Sequence, residues 1–160
     1  MQIKKMKILD REEVEQIEEI VEKNYGAKID LRQFLVLKTF EDKIWLVTKN
    51  ILNLDLSKLP LNSVGMNFGK LKRNDKINLT VEGSQMVGAK ANKNVVFLDK
   101  GSYEKFMGGS DIKLEKEINC ECHNFVIVKF GEDVLGSSLF TEEGIKNLLP
   151  KSRRIIRSKL

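Results

Sequence analysis

The chain has 160 residues, 41% apolar and 32% charged, and 28 Lys and Arg against 23 Asp and Glu leave a formal net charge of +5. That length suits one domain or two very small ones sharing an interface, and the charge permits an acidic partner without proving one. No apolar run approaches the ~18 residues that a membrane span needs, residues 1–10 lack the apolar stretch and cleavage site of a signal peptide, and Cys120 and Cys122, one residue apart, cannot staple a fold, so a cytoplasmic protein is expected.

Asp10 followed by Glu13 has the form of a capping box. It opens a helix in which Val14, Ile17, Val21 and Tyr25 recur at helical spacing, with Glu12, Glu15, Glu18, Glu19 and Glu22 on the other face and Gly26 at the C-terminal cap. Gln33–Phe40 and Ile44–Thr48 are rich in branched and aromatic residues and read as a hairpin around Glu41, Asp42 and Lys43. Asn50–Leu56 reads as a short helix ended by the approach to Pro60. Ser63–Leu71 and Lys76–Val81 read as strands joined by a polar turn at Asn74-Asp75, with Lys70, Lys72, Arg73 and Lys76 crowded around it. Gly83–Ala91 reads as another short helix.

After Ala91 the texture changes. Asn94–Leu98 has a buried-strand pattern, Ser102–Met107 is a short helix stopped by Gly108-Gly109, and Asp111–Glu117 is a polar strand or loop. Phe125–Phe130 is the strongest core strand, turned by Gly131-Glu132-Asp133 into Val134–Phe140. Ile145–Leu149 precedes Pro150, and the chain closes with KSRRIIRSKL. Many short strands, few short helices and tight glycine turns predict an α+β first half and a small β-barrel second half.

The second half resembles a PUA domain, a compact RNA-binding pseudobarrel found in pseudouridine synthases and archaeosine transglycosylases. Asn94–Leu98 is similar to its first strand, Tyr103–Met107 to its short helix, and Gly108 to Ile112 to its glycine turn. Phe125–Phe130 with Gly131 and Leu135-Gly136 is similar to its hairpin, and Pro150–Arg154 to its closing basic strand. Upstream, Ser63–Lys70 and Asn78–Ala91 resemble the domain that precedes PUA in an archaeal and eukaryotic large-subunit ribosome-biogenesis factor. The same pattern resembles the PUA-like tail of the Sun-type RNA cytosine-5 methyltransferases, for whose catalytic domain 160 residues leave no room. The resemblance implies an N-terminal α/β pre-PUA-like domain over residues 1–91 and a PUA β-pseudobarrel over 92–160.

Candidate binding residues lie mainly in the C-terminal decapeptide, which holds Lys151, Arg153, Arg154, Arg157 and Lys159 and no acid. Arginine suits phosphate because its planar fork donates two parallel bonds. As a strand, 153–159 would put Arg153, Arg157 and Lys159 on one face and Arg154 on the other. The plain alternative is a solvated charged tail. In the resembling family the closing strand and the helix-to-strand turn face nucleic acid, which adds Gly109 and Ser110 to the set; Gly109 would let a backbone approach RNA, or simply stop the helix. Lys70, Lys72 and Arg73 are secondary candidates, diluted by Asp75. Tyr25 and Trp45 are aromatic enough to stack a base, although Trp45 sits in a core-like run.

Chemistry has few parts to work with. The lone histidine, His123, rules out a cluster of His ligands, and the usual glycine-rich phosphate loops are missing. Cys120-x-Cys122-His123 lacks the two-residue spacing of usual zinc knuckles and an evident fourth ligand, so a surface loop without metal is expected. The expected function is a non-catalytic adaptor, without cofactor, that docks structured ribosomal or transfer RNA in ribosome biogenesis, rRNA processing or RNA modification. Partners would be ribosome-biogenesis proteins or an RNA methyltransferase, and no membrane. One alternative is a targeting subunit for a separate RNA methyltransferase. The other is a small enzyme using Cys122 and His123, disfavoured because adjacent side chains on a strand point apart.

Overall fold

The computed structural model describes residues 6–50, 65–114 and 119–155. Residues 51–56 of the helix expected over 50–56, the start of the strand at Ser63, all of 115–117, and Arg157 and Lys159 fall outside the described residues. Two five-stranded sheets carry the described residues.

The first sheet is an antiparallel meander of β1 (Lys7–Ile8), β2 (Phe34–Lys38), β3 (Lys43–Thr48), β4 (Gly65–Lys72) and β5 (Lys76–Leu79). Helix α1 (Arg11–Tyr25) crosses it, opened by the full capping box of Asp10 and Glu13 and closed by Gly26. Its acidic face stays toward solvent, and Val14, Ile17, Val21 and Tyr25 are buried against Val36, Ile44, Leu46, Phe68 and Ile77. This all-antiparallel sheet makes the first half α+β rather than α/β. The turns at 39–42 and 73–75, which join β2 to β3 and β4 to β5, are too short for the crossover that parallel strands require.

Helix α2 (Val81–Gly88) links the halves, packing on β4 and on the strand Asp133–Thr141 of the second sheet. It starts two residues earlier than the glycine at 83 predicts, because Thr80 caps it: its hydroxyl accepts from Gly83 N–H at 3.0 Å and donates to the Asn67 carbonyl at 2.6 Å. Gly83 is needed for close approach; a Cβ there would lie 2.0 Å from the Phe68 carbonyl oxygen.

The second sheet contains β6 (Val95–Phe97), β7 (Ile112–Lys113), β8 (Asn124–Phe130), β9 (Asp133–Thr141) and β10 (Gly144–Lys146). β6 runs parallel to β8 and the other pairs are antiparallel. Helix α3 (Lys100–Met107) joins β6 to β7 and buries Phe106 in the second core with Val96, Ile112, Val126 and Leu149. Register slips at Leu135, where Val128 faces Gly136 but Lys129 faces Val134. Such a bulge bends and twists the strand, which curls the sheet into a half-barrel. β8 is sandwiched: Val126 and Val128 point into the second core, while Ile127 joins the first.

The halves are also tied by polar groups. The Asn24 side-chain amide donates to the Ile20 and Asp75 carbonyls, both at 2.7 Å, and its oxygen accepts from Asn124 at 3.1 Å. Asn94 donates to the Asn24 carbonyl and accepts from Glu121 N–H at 2.8 Å. The Tyr25 hydroxyl donates to the Ile77 carbonyl at 2.9 Å, and burial pushes its phenol pKa well above the ordinary value.

Asn24→Ala is expected to cost about 1–3 kcal/mol for each buried group it leaves unpaired. Gly83→Ala should cost about 1–3 kcal/mol by driving α2 off β4. Urea unfolding of both variants checks this; wild-type midpoints would show that the junction relaxes freely.

Candidate nucleic-acid interface

The described part of the tail, up to Ile155, is not the closing strand expected at Pro150–Arg154. Residues Lys151–Arg153 form one turn of 3-10 helix, with Arg153 N–H donating to the Pro150 carbonyl at 2.9 Å, and Arg154 is extended. Pro150 explains the difference, since its fixed φ and missing N–H favour a turn start over a ladder position. The alternating-face argument therefore does not apply to the described part of the tail.

What the tail does instead is fold back over the end of α3. The α3 cap is Asp99, whose carboxylate accepts from Ser102 N–H at 2.7 Å, and the helix runs out at Gly108 and at Gly109, where φ is +96°. Arg154 lies across Gly109: a Cβ there would sit 2.8 Å from its Cδ and Nε atoms. The Arg154 Nε–H donates to the Leu149 carbonyl at 3.1 Å, and Ile155 N–H donates to the Met107 carbonyl at 2.8 Å. The close approach that Gly109 permits is thus made by the protein's own arginine. Arg154 is half-buried and acts as a fastener, while Lys151 is exposed.

Asn147 holds the glycine turn against the base of the tail. Its side-chain amide donates to the Phe106 and Ser110 carbonyls at 2.8 and 2.9 Å, and its oxygen accepts from Leu149 N–H at 2.8 Å. Its own N–H donates to the Asp111 carboxylate at 2.8 Å. No periodicity or motif singles out this residue; only the folded turn shows its value. Ser110 is exposed beside it.

The structure also divides the basic clusters differently from the sequence. Lys72 and Arg73 stay at the exposed β4–β5 tip. Lys70 faces Lys43 across β3 and β4, and both line a cleft of about 370 Å³ that Arg153 also lines. Asn78 and Ser137 share that wall and hydrogen-bond at 3.4 Å. Arg153 forms an ion pair with Glu82 on the first turn of α2, so part of its charge is already answered.

Aromatic groups lie on and next to α3. Tyr103 stacks on Phe130 with centroids 4.4 Å apart, and Lys129 sits 5.8 Å over the Phe97 ring. Phe97 is 62% exposed, as the alternation after buried Val96 requires. A hollow of about 670 Å³ lies next to them, walled by Tyr103, Met107, Gly108 and Ile155. Tyr25 is removed from the stacking candidates, because it is fully buried between the halves. Trp45 is partly buried against Leu37 and Val47.

The Cys120–His123 segment holds a turn rather than a strand. Cys120 is half-buried and its thiol donates to the Val95 carbonyl at 3.7 Å. Cys122 and His123 are exposed, and His123 has a φ of +63°.

Residues 93–155 match the family model described as the methyltransferase RsmF PUA domain. Over that span the chain is similar to a PUA domain, and the curled second sheet is consistent with its pseudobarrel. The match runs from the turn before β6 to the last described tail residue, so the glycine turn, Asn147 and the folded-back tail all lie inside it. Residues 1–92 lie outside it. No curated protein matches the chain. Among the described residues no helix is long and apolar enough to cross a membrane.

Gly109→Ala is expected to destabilise by about 1–3 kcal/mol, through left-handed strain and expulsion of Arg154. Trypsin should then cut after Arg153 and Arg154 sooner than in the wild type. Glu82→Gln removes only a half-exposed ion pair and should cost no more than about 1 kcal/mol. Equal trypsin rates in the wild type and Gly109→Ala would show that the tail is not fastened through this turn.

Proposed function

We propose that the protein is a non-catalytic RNA-binding adaptor that docks structured RNA on the tail and glycine-turn face of its PUA domain. The observation that carries this reading is the folded-back basic tail, lying over Gly109 inside the matched span. In this reading residues 92–160 dock RNA and residues 1–91 brace them. Lys151 and Arg153 supply cations along one rim, Lys43 and Lys70 extend it into the cleft, Phe97 with Tyr103 offers stacking surface, and Arg157 and Lys159 add positive charge to the tail. Duplex RNA hides most base edges in a deep, narrow groove, so recognition rests on phosphate position and shape, with unpaired bases stacked where they reach the aromatics. The acidic face of α1 lies away from the RNA.

The match to an RsmF-type PUA domain favours an RNA-methylation setting, in which the adaptor presents ribosomal or transfer RNA to a separate methyltransferase. A role beside ribosome-biogenesis proteins rests on the weaker upstream resemblance. Affinity capture from cells, recovering one dominant methyltransferase or a set of pre-ribosomal factors, separates the two.

The test of RNA docking is a salt titration with a structured RNA. Each neutralised phosphate contributes about 0.7–0.9 to the slope of log affinity against log salt. Changing Lys151, Arg153 and Arg157 together to Ala should lower the affinity and flatten the slope by about 2. Lys70, Lys72 and Arg73 changed together should matter less. Glu82→Gln should tighten binding, because it frees Arg153. A folded tail variant with wild-type affinity and slope would overturn the assignment of this face.

A further inference from the structure

A cluster outside the RNA-docking reading lies where the turn before β8 meets the β9–β10 hairpin. Cys122 Sγ, a ring nitrogen of His123 and a carboxylate oxygen of Glu142 all lie within 4.8 Å of one another. They are one thiol, one imidazole and one carboxylate, the carboxylate 20 residues after the thiol in sequence. Neighbouring residues on a strand would point Cys122 and His123 apart; the left-handed φ of +63° at His123 swings both to the same side.

The backbones under the cluster are pinned. His123 N–H donates to the Phe140 carbonyl at 2.7 Å, and Asn124 N–H to the Glu121 carbonyl at 3.2 Å. The Thr141 hydroxyl accepts from Glu143 N–H at 3.3 Å and donates to the Gly144 carbonyl at 3.2 Å, fixing the turn that carries Glu142. Lys76 donates to the His123 carbonyl at 3.0 Å, which leaves the imidazole clear of that ammonium bond. His123 Nε2 and the Glu142 carboxylate are already 3.9 Å apart.

We propose that Cys122, His123 and Glu142 bind one divalent transition-metal ion of the zinc class, with water as a fourth ligand. A borderline-soft cation accepts a thiolate, an imidazole and a carboxylate together, whereas magnesium and calcium take oxygen ligands. Metal–ligand bonds of about 2.0–2.3 Å place tetrahedral donors about 3.3–3.8 Å apart. Closing from the observed spread takes about 1 Å of movement by exposed side chains, within ordinary rotamer reach. Cys120 is not a ligand, since its sulfur faces Val95. The bound ion would clip the turn before β8 to the β9–β10 turn, and the thiol proton would leave to solvent on binding.

The experiment is a Co²⁺ titration of the full chain under a non-thiol reductant, followed in the near ultraviolet, with X-ray absorption on the zinc form. The expected result is one ion per chain, a sulfur-to-cobalt charge-transfer band, and one sulfur with three nitrogen or oxygen neighbours. Cys122→Ser should abolish the band and Cys120→Ser should keep it. His123→Asn, which tolerates the left-handed turn, and Glu142→Gln should each weaken binding by roughly tenfold or more. All four variants are read beside a melting curve of the metal-free protein, and Glu142→Gln is an exposed, near-isosteric change that leaves the fold in place. No band in the wild type, a band lost only with Cys120, two chains per ion, or wild-type affinity in both His123→Asn and Glu142→Gln would each overturn the site.

Discussion

Asn24, Asn94 and Asn124 come from α1, the turn before β6 and β8, and each polar atom they carry inside must find a partner there. They find one another and the surrounding carbonyls, including that of Asp75 on the β4–β5 turn. The network works because burial is nearly complete for all three side chains, so water cannot substitute for a misplaced partner. Apolar contacts alone would let α1 slide over β8. The amides permit one placement.

From that placement follows the geometry of the binding face. With β8 held against the first half, α2 is trapped between β4 and β9, and Glu82 on its first turn reaches Arg153. The cleft lined by Lys43, Lys70 and Arg153 exists only because the two sheets are locked in this relation. The glycine turn and tail, by contrast, are organised locally by Asn147 and Arg154. One face is thus assembled from a fixed inter-sheet joint and a separately fastened tail.

The elements that obeyed local rules were legible in the sequence. The capping box at Asp10, the alternation in the hairpins and the continuous apolar run at Phe125–Phe130 each rest on spacing a few residues long. The misread parts depend on partners distant in the chain. Thr80 caps α2 from outside the predicted helix because β4 offers it the Asn67 carbonyl. The tail turns at Pro150 and docks on α3, where the family resemblance implied a closing strand. Tyr25 looked free to stack because nothing in its own helix announces Ile77 and Ser137 above it. Glu142 gave no signal as a neighbour of Cys122 and His123, since only the β9–β10 turn brings it there.

The two-sided burial of β8 carries a consequence for how the chain finds its fold. A strand with one wet face is kept in step by its own pattern, because a slip of one residue throws greasy side chains into water. β8 has no such alarm: Val126, Ile127 and Val128 are interchangeable in size and polarity, and either face would accept them. Hydrophobicity therefore proofreads nothing along its centre. The frame is read at its start, where Asn124 meets Asn24 in one alignment only, and again at Leu135, where the partner strand skips a residue. Those two punctuation marks keep Ile127 in the first core and its neighbours in the second.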